Sequence, residues 1–159
     1  MTLKKQILLS DDRLDQSGQE RSRGCHRFRR CRLVEIGQEL PALQCGPITR
    51  TTLALFAGAS GDPNPIHIDS DFARAAGLED VFAHGMLSMA YLAQLITRWV
   101  PQSQIRSWEA RFTSITPVGA IVECSGHVTE IFEADGEKRA RLEITSSVQG
   151  GAVTLAGFA

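Results

Sequence analysis

From Met86 to Trp99 the chain is apolar on almost every side of a helix: Met86, Leu87, Met89, Ala90, Leu92, Ala93, Leu95 and Ile96 cover most of its circumference before Pro101 stops it. A helix apolar nearly all round has no face to give to solvent, so something must wrap it. The sequence that follows supplies the wrapping. Trp108, Ala110 and Phe112 alternate with Glu109, Arg111 and Thr113, and Ala140, Leu142, Ile144 and Val148 alternate with Arg139, Arg141, Glu143 and Thr145. Residues 121–132 lie between those runs, Asp135-Gly136 forms a hairpin turn, and residues 152–158 make a last strand. Period-two alternation gives each strand one wet and one buried face. Helices first and antiparallel strands after, with one wholly buried helix, predict an α+β fold: a sheet wrapped over a central helix.

Upstream of that helix the signals are local. Thr49 can cap a helix from about Arg50 to Gly58, with Leu53, Phe56 and Ala57 on one face. Asp69 or Ser70 can cap a short helix that Gly77 ends. Leu43–Pro47 reads as a short extended piece after a turn at Glu39-Leu40-Pro41, and order is expected to begin near Leu33. Residues 1–32 are polar and lack periodicity, and they hold nine of the 17 Lys/Arg but four of the 18 acids. We expect a basic, disordered extension here, solvated rather than bound to nucleic acid, followed by one domain over residues 33–159.

The rest of the composition excludes whole classes. A chain of 159 residues with 43% apolar residues buries a sufficient core without staples. Cys25, Cys31, Cys45 and Cys124 make no CxxC pair and no framework, which fits reduced thiols in a cytosol. Cys25, His26 and Cys31 lack the further ligands that a zinc site needs, so no metal is expected. Ile7-Leu8-Leu9 is too short for the apolar region of a signal peptide, and no stretch approaches the ~20 apolar residues of a membrane span. The expectation is a soluble, cytoplasmic protein.

Two segments carry chemistry. In Gly61-Asp62-Pro63-Asn64-Pro65-Ile66-His67, a carboxylate and an imidazole stand five residues apart on a loop stiffened by two prolines. Such a pair can grip one water, one group acting as base and the other orienting it or relaying a proton. Taken alone, the same loop also reads as an Asx turn with His67 pointing into a core. In Ala83-His84-Gly85-Met86-Leu87, Gly85 opens the apolar helix, where amides are unpaired and the dipole favours negative charge. Glycine lets a ligand oxygen approach that backbone. Taken alone, this too is the ordinary start of a helix.

Together, the string from Ala57 to Asp69, the residues Ala73 to Gly77 and the string from Ala83 to Leu87 resemble the MaoC-like dehydratases, which include (R)-specific enoyl-CoA hydratases and (3R)-hydroxyacyl-ACP dehydratase subunits. The likeness extends over about residues 33 to 159, through Arg111-Phe112 and Thr116-Pro117-Val118. The resemblance implies a hot-dog fold, and a homodimer or a pair with a related subunit, its sheets joined edge to edge. It implies reversible hydration of a trans-2-enoyl thioester to the (R)-3-hydroxyacyl thioester, a lyase reaction. Asp62 and His67 would activate the water, the Gly85 amide would hold the thioester oxygen, and Asn64 would support the loop or the water. His84 is read as a structural residue at the helix start. No cofactor is implied beyond the coenzyme A or acyl carrier protein that bears the acyl group. Two rivals stand beside this reading: a non-catalytic acyl-thioester-binding module, which would not need the Asp62/His67 pair, and a hot-dog thioesterase.

Overall fold

A computed structural model of the chain describes residues 6–9 and 34–159. Its helices start and stop at local signals. Helix α1 (Arg50–Ser60) is capped by the Thr49 hydroxyl, which accepts from the Thr52 amide at 3.0 Å. It runs past Gly58 and ends at Gly61, whose φ of 69° is the left-handed conformation that glycine adopts without strain. Helix α2 (Ser70–Ala75) is capped by Asp69, whose carboxylate accepts from the Asp71 and Phe72 amides. Helix α3 (Gly85–Trp99) is the long apolar one.

Among the described residues there are seven strands: β1 (Gln6–Leu9), β2 (Leu43–Cys45), β3 (Ile105–Arg106), β4 (Glu109–Phe112), β5 (Val122–Ala134), β6 (Glu137–Val148) and β7 (Val153–Phe158). All pairings are antiparallel: β2-β5-β6-β7-β4 runs through five strands, and β1 and β3 extend the same sheet from β6 to seven. The hairpin between β5 and β6 turns on Asp135 and Gly136, both at positive φ (55° and 74°), the twist that a two-residue hairpin needs. Along β6, Ala140, Leu142 and Ile144 are buried while Arg141 and Glu143 face out. With Val122, Cys124, Val128 and Leu155 they form the inner face against which Leu92, Leu95 and Ile96 of α3 pack. Each such side chain, fully buried, contributes on the order of 2 kcal/mol.

Three expectations are corrected. First, α3 is not buried all round. Leu87, Ser88, Met89, Leu92, Leu95 and Ile96 are buried, but Gly85, Ala90 and Gln94 are exposed and Met86 is 53% exposed. One sheet covers one side of a helix, and the described residues supply one sheet. Second, Phe112 is 50% exposed although it falls on the inward beat of its strand. Its strand, β4, is an edge that pairs only with β7 among the described residues, and no further described strand covers its end. Third, β1 lies inside the arm that carries no periodicity. It pairs with β6 (Ile7 opposite Ala140) and with β3 (Ile7 opposite Ile105). Four residues are too few to show a period, so a strand lying between β6 and β3 carries no periodic signal in the sequence. The remainder of the arm, with Cys25, His26 and Cys31, lies outside the described residues.

Candidate active site

The left-handed Gly61 turns the chain out of α1, and the Asp62 amide closes the turn on Ala57 O at 3.2 Å. Pro63 and Pro65 then hold the loop open while the Asn64 side chain accepts from the Ile66 amide at 3.2 Å. That cap starts a single 3-10 turn, Pro65–His67, which delivers His67 inward. Asp62 stays exposed, and its Oδ1 accepts from the Asn64 amide at 3.4 Å. The loop is therefore both things the sequence offered: an Asx turn, and a frame that brings Asp62 and His67 together. Asn64 supports the loop.

Hydrogen bonding fixes the imidazole tautomers. His67 Nδ1 lies 2.8 Å from Phe82 O, and since a carbonyl only accepts, Nδ1 carries the proton. Nε2 of the neutral ring is left with a lone pair. His84 Nε2 donates to Asp62 O at 3.1 Å, so the His84 ring holds the backbone of the very residue whose carboxylate is in play. His84 is 1% exposed, and its Nδ1 is a buried acceptor without a partner among the described residues. The two rings stack at 3.9 Å between centroids, with Phe82 edge-on to His67 and Phe56 tilted against His84. Asp62, His67 and His84 each place one ligand-type atom within 4.8 Å of the others. A single water bonding at ~2.8 Å to each of two groups spans such a gap. The same three side chains are those, among the described residues, that could hold a metal ion. Each ring has already committed one nitrogen to a backbone carbonyl.

Gly85 begins α3, exposed, and its amide donates to no protein acceptor among the described residues. The Phe112 ring lies so close that a Cβ on Gly85 would stand 2.8 Å from it, so no other residue fits without displacing that ring. Beside it opens a cavity of about 330 Å³, walled by Phe82, Gly85, Ser88, Phe112, Thr116 and Leu155 among others. Phe82 joins the parts: its carbonyl fixes His67 and its side chain lines the cavity. Asp62, His67 and Asn64 are thus gathered on one loop, and Gly85 stands on the helix whose preceding residue grips that loop. The sequence reading missed Phe82, because a backbone carbonyl leaves no residue-type signal. It also missed the place of Phe112, taken there as core.

Comparison with known proteins agrees with the geometry. The family model described as "MaoC like domain" matches residues 33–151. Fatty acid synthase subunit beta of Saccharomyces cerevisiae is 31% identical over 114 residues, 69% of this chain but 5% of that protein. Peroxisomal enoyl-CoA hydratase 2 of Arabidopsis thaliana is 34% identical over 67 residues, 42% of this chain and 22% of that one. The chain therefore spans well under half the length of these relatives. Among solved structures, the (R)-hydratase from A. caviae involved in PHA biosynthesis superposes with a TM-score of 0.69 at 28% identity, covering 79% of this chain and 94% of that one. The fold is thus the hot-dog of these hydratases.

Proposed function

This chain belongs to the MaoC-like domain family, and from that premise we propose that it is a lyase that adds water reversibly to a trans-2-enoyl thioester, giving the (R)-3-hydroxyacyl thioester. The observation that carries the reading is the tautomer of His67: with Nδ1–H held by Phe82 O, a lone pair is left on Nε2 of a ring that has an atom within 4.8 Å of an Asp62 ligand atom. In the proposed step Asp62 orients a water and His67 Nε2 takes its proton as the oxygen bonds to C3. Negative charge moves to the thioester oxygen, where the free Gly85 amide and the start of α3 receive it. The proton then goes to C2, which balances the addition. The acyl group arrives on coenzyme A or an acyl carrier protein, and no further cofactor takes part.

The same reading makes the protein a dimer, with a second copy or a related subunit. β4 has an unpaired edge among the described residues, and Met86, Phe112 and Ile115 are half exposed on α3, β4 and the loop that follows β4. A partner strand on that edge would cover them, and light scattering at micromolar concentration would then give twice the chain mass. Among the described residues no helix is long and apolar enough to cross a membrane, and the site of action we propose is the cytoplasm.

The test is hydration of short and long trans-2-enoyl-CoA by the purified protein, read as loss of the absorbance of the conjugated enoyl thioester. Asp62→Asn and His67→Ala should each lower turnover by ~10²–10⁴-fold while keeping the fold. Acting on one water, the pair should be non-additive, with the double variant little worse than the poorer single one. Enoyl-CoA binding without turnover, or wild-type rates in both single variants, would end the proposal.

A further inference from the structure

Two buried hydroxyl pairs stand around the cavity beside Gly85, and they differ in where their protons go. Thr154 Oγ1 donates to Ser146 O at 3.1 Å, which leaves Ser146 Oγ to donate to Thr154 Oγ1 at 3.2 Å. Both protons of that pair have acceptors. Ser88 Oγ and Thr116 Oγ1 lie 3.0 Å apart and bond only to each other among the described residues. Two O–H groups sharing one hydrogen bond leave one proton over, whichever of them donates. Ser88 is 2% and Thr116 4% exposed, and both line the cavity. A buried donor with nothing to donate to is costly, and native structures keep one where something else supplies the acceptor.

We propose that the Ser88–Thr116 pair is a donor subsite for an oxygen on the acyl chain, so that the preferred substrates are enoyl thioesters bearing a hydroxyl, ether or keto oxygen rather than plain alkyl ones. The inference rests on the hydratase reading for where the thioester lies. Ser88 follows Gly85 by three residues on α3, and i,i+3 residues share a face about 5–6 Å apart. Helical side chains lean back toward the N-terminus, which carries Ser88 Oγ toward Gly85. A thioester oxygen resting on the Gly85 amide therefore sends its acyl chain past Ser88. Phe82, Phe112 and Leu155 are among the apolar walls of the same roughly 330 Å³ space. Solvent entering the open cavity can meet the spare proton, and an alkyl chain there would displace that solvent and give nothing back. An ether oxygen would take its place.

The experiment compares trans-2-hexenoyl-CoA with trans-4-methoxybut-2-enoyl-CoA, its counterpart with one methylene replaced by an acceptor-only oxygen. The wild type should favour the ether by about tenfold or more in kcat/KM. Ser88→Ala and Thr116→Val each leave one hydroxyl and should keep the preference. The double variant replaces both partners by apolar groups of like shape, which a core tolerates, and should lose the preference, read as the ratio of the two kcat/KM values falling to near one. Equal use of the two substrates by wild type, or a preference that survives the double variant, would overturn the proposal. So would an equal slowing of both substrates in the double variant, which would assign the pair to the thioester oxygen. Affinities of the saturated acyl-CoA counterparts, measured by calorimetry, read the same preference without turnover. If neither enoyl thioester were hydrated, the hydratase reading would fall while this measurement still decided the subsite.

Discussion

His84 offers a separation of stability from activity that few buried residues allow. Its Nε2–H bond to Asp62 O is worth ~0.5–1.5 kcal/mol, but its unpartnered Nδ1 costs ~1–3 kcal/mol to keep dry. His84→Phe discards both, keeps a flat ring between Phe56 and His67, and adds a little volume at ~1 kcal/mol or more. The terms nearly cancel, so urea unfolding should shift by no more than about 2 kcal/mol, against the ~3–5 kcal/mol usual for emptying a large core site. Turnover should fall much further, by ~10-fold or more, because the Asp62 backbone has lost its tether and its carboxylate its position. His84→Gln can place a donor near the lost Nε2–H and should recover most of the rate. Assays of kcat with a chain-matched enoyl-CoA, beside urea curves for the three proteins, decide the matter. A His84→Phe protein that loses 4 kcal/mol would show that Nδ1 has a partner after all. One that turns over at the wild-type rate would remove His84 as a positioning residue.

Gly85→Ala puts a Cβ 2.8 Å from the Phe112 ring, and since that ring is half exposed it can move, so the fold should survive. The approach to the amide should not: kcat should drop by roughly 10²-fold, the scale of one lost oxyanion donor, and undiminished turnover would remove the amide's role. Removing residues 1–32 takes β1 off β6 and β3 but leaves β2-β5-β6-β7-β4 and the Asp62 loop, so turnover should persist with a lower Tm. An inactive but folded truncation would contradict this. Burial pushes the Cys124 thiol up to about 11, so at pH 8 it is almost wholly protonated and should resist iodoacetamide until the protein unfolds. Fast labelling of native Cys124 by mass spectrometry would count against the burial.

What the sequence made legible was local or periodic. Thr49, Asp69 and Asp135-Gly136 act within a few residues of themselves, and the strands of Ala140–Ile144 declare their faces by alternation. The Asp62/His67 loop was legible because two prolines and an asparagine leave its backbone little choice. What stayed hidden depends on the far side of a contact. Met86 and Phe112 look like core residues in composition, and only the limit of one sheet per chain exposes them. The carbonyl of Phe82 sets the state of His67 without any residue type announcing it. Ser88 and Thr116, 28 positions apart, are unremarkable until they meet across the cavity.

The tight turn at Asp135-Gly136 also bears on the order in which the chain assembles. Closing a two-residue loop costs little chain entropy, and β5 and β6 can then zip outward from it through paired residues as far as Val122 and Val148. β7 joins next through a short connection. β2, by contrast, meets β5 only after a segment of more than 70 residues that includes α3 has been gathered in, and β4 docks on β7 across the whole hairpin. The hairpin is then the part formed first, and the distant closures of β2 and β4 follow it. Substitutions flanking Asp135-Gly136 should slow folding, while those in β2 and β4 should mainly speed unfolding, a contrast that chevron plots of the two sets would read directly.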